Sequence, residues 1–131
     1  YLTHGVAPKQ DTYQYLILPG MDKENVAAFN LSDIQILRND ATAQAVYSEG
    51  NTTCWVAAYQ PVQLTVSTDL ILNIQTPGIY MIRKNESGRY VINYADPTQQ
   101  RNVAELELNH KKVRLSLPEG KEKGKTTSIV G

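Results

Sequence analysis

The sequence has one cysteine, one tryptophan, one phenylalanine and no net charge. The lone thiol, Cys54, excludes an internal disulfide framework and every multi-cysteine metal site. Thirteen Lys and Arg balance thirteen Asp and Glu, so no global field draws in nucleic acid or a membrane surface. No apolar run approaches the roughly 18 to 20 residues that cross a bilayer, and no membrane span is expected. An initiator Met, a charged leader and an apolar signal core are all missing before Tyr1, so the chain is expected to begin inside a longer precursor. What is there is a globular composition of 131 residues, 41% of them apolar, with room for one core.

Most of the chain alternates apolar and polar residues with the period of a half-buried strand. In Val103 to Asn109, Ala104, Leu106 and Leu108 alternate with Glu105 and Glu107; in Lys111 to Leu117, Val113, Leu115 and Leu117 alternate with Lys112, Arg114 and Ser116. The two runs form a hairpin at Asn109-His110. Because His is a poor residue for the positive φ of a tight connection, a loop longer than two residues is expected. Ile79 to Lys84 and Arg89 to Tyr94 make a second pair around Glu86-Ser87-Gly88. Pro77-Gly78 suits a type II turn after the run Leu70, Leu72, Ile74. Val62, Leu64 and Val66 share a face, and Ala43 to Tyr47 and Thr52 to Tyr59 read as buried strands, about eight in all.

Only Asp22 to Asn30 reads as helix, with Asp22 as cap. One helix cannot cover so many strands, so the fold expected is all-β, a two-layer antiparallel β-sandwich with one short N-terminal helix. Tyr13 to Pro19 is nearly continuously apolar, as a strand covered on both sides would be. Its neighbour is absent from the sequence pattern, so Tyr13 to Leu18 is expected to fold onto a sandwich edge or to self-associate.

Chemistry-bearing residues are sparse. His4 and His110 have no ligand-spaced companions, which argues against a metal site and against general-base work. Cys54 lies in an apolar run beside Trp55 and Val56, where a thiol is an inert small hydrophobe. Gly120 to Thr126 has the wrong spacing for a phosphate loop and no helix follows it. No catalytic residue, metal or cofactor is therefore expected. The aromatic set is skewed to eight tyrosines. Tyr and Trp stack on sugar rings, which makes Trp55, Tyr59, Tyr90 and Tyr94 candidates for carbohydrate binding; packing inside a sandwich is the competing explanation for the same residues.

Three stretches carry a resemblance. His4-Gly5-x-x-Pro8 with Tyr13-x-Tyr15-x-x-Leu18-Pro19 comes first, then Ile34-x-Ile36-Leu37 leading to Gln44-Ala45-Val46. Pro77-Gly78-x-Tyr80 through Arg89-Tyr90 to Asp96-Pro97-Thr98-Gln99 follows. In this order and spacing they resemble the C-terminal part of the polysaccharide lyases that cleave hyaluronan, chondroitin sulfate or xanthan, polysaccharide lyase family 8. The resemblance implies that residues 1–32 are the trailing end of a central β-sandwich and residues 33–131 the C-terminal β-sandwich. It also implies a parent that breaks uronic-acid-containing chains by β-elimination outside the cytoplasm, in the extracellular or periplasmic space. The Asn, His, Tyr and Arg that do this chemistry belong to an upstream helical domain and match nothing here. The chain is thus expected to be a non-catalytic module supporting the upstream domains, its partners, with an accessory carbohydrate-binding module, contacting polysaccharide, as the alternative.

Overall fold

The structure is a computed structural model that describes residues 16–131. The chain divides into two units, Tyr1–Asn30 and Leu31–Gly131. In the first, Lys23–Ala28 forms α1, and the Asn25 backbone N–H donates to Asp22 Oδ1 at 2.8 Å, as the cap reading requires. Of the apolar run at Tyr13 to Leu18, residues 13–15 lie outside the described residues. Leu16, Ile17 and Leu18 form no strand, and Leu16 and Ile17 are exposed.

The second unit holds the ten strands. They are β1 (Ile34–Asn39), β2 (Ala43–Ser48), β3 (Thr53–Ala58), β4 (Val62–Ser67), β5 (Leu70–Ile74), β6 (Gly78–Lys84), β7 (Tyr90–Ala95), β8 (Val103–Leu108), β9 (Lys111–Ser116) and β10 (Thr127–Val130). One antiparallel sheet has the order β1-β2-β3-β6-β7-β10 and the other β4-β5-β8-β9. Period-two alternation gives each strand one apolar face, and these faces meet in a single core. Ala45 and Tyr47, Cys54 and Val56, Tyr80 and Ile82, and Ile92 and Tyr94 come from the larger sheet. Leu64 and Val66, Leu70 and Leu72, Leu106 and Leu115 come from the smaller one.

Two connections differ from the sequence reading. The β8–β9 loop is two residues long, since Leu108 pairs with Lys111, and both Asn109 (φ 49°) and His110 (φ 66°) are left-handed. That is the primed turn whose twist matches a hairpin. Asn109 anchors it: its Oδ1 accepts from the Ile71 backbone N–H at 2.8 Å and its Nδ2 donates to the Asp69 carbonyl at 2.8 Å. These bonds hold His110 in a conformation its own side chain disfavours.

Pro77-Gly78 is not a type II turn that folds β5 back on its own sheet. It carries the chain from the smaller sheet into β6 of the larger, and Gly78 has φ 154°, far from the roughly +80° of that turn. A side chain at Gly78 would collide with the Tyr94 ring, whose Oη lies 2.7 Å from where a Cβ would stand.

Candidate functional site

The four aromatic candidates part company. Tyr90 and Tyr94, on the inner face of β7, are 8% and 0% exposed, so neither offers a ring face to a ligand. Trp55 and Tyr59 are 43% and 53% exposed. In β3, Cys54 and Val56 turn inward and Trp55 therefore turns outward.

Trp55 stands in a row running across the outer face of the larger sheet. Ile36 pairs with Val46, Val46 with Trp55, Trp55 with Met81 and Met81 with Asn93. On the next outward rung Ala57 pairs with Ile79 and Ile79 with Ala95. Ile36 and Ile79 are exposed like Trp55. Ile36, Trp55 and Ile79 thus leave an exposed apolar patch on this face.

A second feature lies at one end of this sheet. A cavity of about 320 Å³ is lined by Ala58, Tyr59, Pro77, Gly78, Ile79, Pro97, Thr98 and Arg101. Buried hydroxyls hold one rim: Tyr80 donates to the Thr76 carbonyl at 2.6 Å and Tyr94 to the Pro77 carbonyl at 2.9 Å, with the two rings 4.8 Å apart. Asp96 holds the other. Its Oδ1 accepts from the Thr98 N–H, the Thr98 hydroxyl and Arg101 Nη1, and its Oδ2 from the N–H groups of Gln100 and Arg101, at 2.7 to 3.0 Å. Burial works to raise the pKa of Asp96, but the Thr98 hydroxyl and the three backbone N–H groups outweigh it and hold the carboxyl at about 2. Arg101 entered no sequence reading as a site residue. The signal was Asp96-Pro97-Thr98, a turn-forming pattern whose Asp recruits nearby N–H donors.

The remaining reactive groups are committed elsewhere. Cys54 is fully buried and its thiol is pushed up to about 12 by burial. At the far end of β6 and β7, Lys84 Nζ bonds Asp69 Oδ2 at 2.8 Å and lies 5.4 Å from the Tyr90 ring centre. The Tyr90 hydroxyl also reaches Asp69, at 3.3 Å. Hydrogen bonds from Lys84 and Ser67 hold the Asp69 carboxyl at about 2. This cluster clasps the β4–β5 turn of one sheet to the hairpin of the other. His110 sits in its turn, and His4 lies outside the described residues. Among the described residues no three His, Cys, Asp or Glu gather to hold a metal ion, and no helix is long and apolar enough to cross a membrane.

Residues 35–105 match the family described as polysaccharide lyase family 8, C-terminal beta-sandwich domain. The chain is 27% identical to chondroitinase-AC of Pedobacter heparinus over 136 residues, covering 98% of this chain and 19% of that protein. To the chondroitin sulfate ABC exolyase of Bacteroides thetaiotaomicron it is 27% identical over 97 residues, covering 73% of this chain and 10% of that protein. A solved structure of chondroitinase AC lyase superposes with a TM-score of 0.73 at 25% identity, covering 86% of this chain and 17% of that one. The chain thus spans only a small part of the relatives it matches. The family match runs from within β1 into β8 and so takes in five of the six strands of the larger sheet and the residues lining the end cavity, and the chain belongs to polysaccharide lyase family 8 as its C-terminal β-sandwich domain.

Proposed function

We propose that this chain is a non-catalytic module of a polysaccharide lyase, in which the outer face of the six-stranded sheet packs against the preceding domain and keeps it in shape. The apolar row through Ile36, Val46, Trp55 and Met81 carries this reading. Such a row gains stability only when water is removed from it, at about 25 cal/mol per Å² covered. Its occupant is the rest of the parent chain, which in the relatives is the greater part of the protein. On this reading residues 1–32 trail from a central sandwich and residues 33–131 form the support.

The balanced charge favours support over catalysis, since a cleft that grips a polyanionic chain is basic. The parent reaction is β-elimination on an acidic polysaccharide of the chondroitin or hyaluronan type, outside the cytoplasm, where polymers too large to enter the cell are met. The deciding experiment places Trp55→Glu and Ile36→Glu in the lyase that carries this module. Both positions are exposed in the module alone, so its own melting temperature should move by less than about 2 °C. The parent should lose several degrees and much of its activity. A parent unaffected by both substitutions refutes the proposal. So does the appearance of ultraviolet-absorbing unsaturated product when the purified 131-residue chain meets chondroitin or hyaluronan.

A further inference from the structure

We infer, on the packing reading above, that Arg83 is the charged anchor of the contact made by the outer face of the six-stranded sheet, and that the preceding domain of the parent chain sets a carboxylate against it. Position is the first reason. Thr53 pairs with Arg83, Arg83 with Val91 and Val91 with Val130, one outward rung beyond the row that holds Trp55. Alternate residues of a strand share a face at a spacing of about 7 Å, so Ile79, Met81 and Arg83 of β6 point the same way. The exposed guanidinium therefore rises beside the apolar patch, with exposed Val130 beyond Val91 on the same rung.

The second reason is that this cation alone lacks a counter-ion. The six strands of the sheet contain no Asp or Glu. Their other cations are paired from outside the strands, Arg38 with Asp40 and Lys84 with Asp69. Among the described residues Arg83 has no hydrogen bond or ion pair, and neither Glu49 nor Glu86, in the flanking turns, pairs with it. The neutral polar side chains of the face are already engaged within the module. The Ser48 hydroxyl donates to Asp33 Oδ2 at 2.9 Å and the Thr53 hydroxyl to the Asn51 carbonyl at 2.8 Å. Asn93 donates to the Met81 carbonyl at 3.2 Å and accepts from the Ser128 hydroxyl at 2.6 Å. These groups keep their bonds when water leaves, whereas Arg83 gains a partner only from whatever covers the face.

The third reason is the chemistry of covering it. Backbone carbonyls supply hydrogen bonds to a guanidinium and leave its charge uncompensated; a carboxylate meets both the charge and the planar fork. Trp and Arg side by side are also where contact energy concentrates. A second copy is a poor occupant, because a two-fold contact through this face sets Arg83 toward its own image on strands that hold no carboxylate. The rest of the parent is the occupant: the matched part is only 19% and 10% of the relatives.

The test places Arg83→Lys in the lyase that carries this module and adds a carbodiimide, which joins an amine to a carboxylate in contact with it. Peptide mass spectrometry should find residue 83 linked to one Asp or Glu of the preceding domain, with the Lys84–Asp69 pair, 2.8 Å apart, as the internal control. A link to Glu49 or Glu86 alone, a link between heavy- and light-isotope copies, or no link at 83 while the control links, overturns the assignment of Arg83.

Arg83→Glu should lower the parent's melting temperature by several degrees and Arg83→Met by less, since Met brings no like charge to the carboxylate. The 131-residue chain alone should move by less than about 2 °C with either, because Arg83 is exposed there. A parent indifferent to both variants overturns the assignment, as does unchanged stability with lost affinity for a chondroitin tetrasaccharide, the mark of a sugar contact. If Trp55→Glu and Ile36→Glu destabilise the parent while both Arg83 variants are silent, the anchor falls and the packing reading stands; if all of them are silent, both fall.

Discussion

Replacing Asp96 by Asn changes almost no volume and removes one charge from a carboxylate that is 4% exposed. The amide oxygen can serve only one of two donor sets. If it faces the Thr98 and Arg101 Nη1 donors, the new NH₂ points at the N–H groups of Gln100 and Arg101, and the converse placement is no better. The charged part of the loss follows from the pKa. Lowering from 3.8 to about 2 corresponds to about 2 kcal/mol of stabilisation at neutral pH. Misplaced donors add to it, and about 3 kcal/mol is expected, or about 10 °C in melting temperature for a domain of this size. Urea unfolding followed by circular dichroism from pH 7 down to pH 2 measures it.

The sign is fixed by linkage. A folded-state pKa below the unfolded one gives stability that is full above about pH 4 and disappears as pH falls through about 2. Asp96→Asn has no such titration at this site. The gap between the proteins should therefore narrow by about 2 kcal/mol across that window. A gap below about 1 kcal/mol at pH 7, or one that keeps its size at pH 2, refutes the assignment of Asp96 as the clamp of this loop.

Other substitutions probe the turns and the core. Gly78→Ala should cost about 3 kcal/mol or prevent folding, because the added carbon meets the Tyr94 ring at a backbone angle that suits only glycine; thermal melting reads this directly. His110→Gly should stabilise by about 0.5 to 1 kcal/mol by relieving its left-handed φ, and a destabilised variant in urea would argue against the two-residue turn. Cys54 should resist a thiol reagent at pH 8 until the protein unfolds, since its thiol is buried and pushed up to about 12; labelling at the rate of a free thiol in the native state would contradict this.

Strand faces were plain in the sequence wherever apolar and charged residues alternated without interruption. Ala104 to Leu117, Val62 to Val66 and Leu70 to Ile74 all place the expected side chains inward. Beta1 (Ile34–Asn39) was harder to see, because an edge strand with a bulge between Ile36 and Arg38 shows no clean alternation. Pro77-Gly78 misled because the same dipeptide serves a tight turn and a crossing between sheets, and the steric demand at Gly78 comes from Tyr94, far along the sequence. At the candidate site the list of aromatics was visible but not their sides. Period two puts Tyr90, Ile92 and Tyr94 together without saying which sheet face is inner. Arg101 could not be singled out from composition, since only the folded loop brings it beside Tyr59.

The order of strands also dictates when the larger sheet can close. β3 waits for β6 across a stretch given over to the other sheet, and β7 gains its outer neighbour only from Thr127–Val130 at the end of the sequence. A nascent chain emerging from the ribosome therefore holds half-finished sheets with open edges until β10 has been made. Such distant pairings fold on the millisecond-to-second scale. During that interval the lysines of β9, an edge strand, discourage neighbouring chains from adding to it.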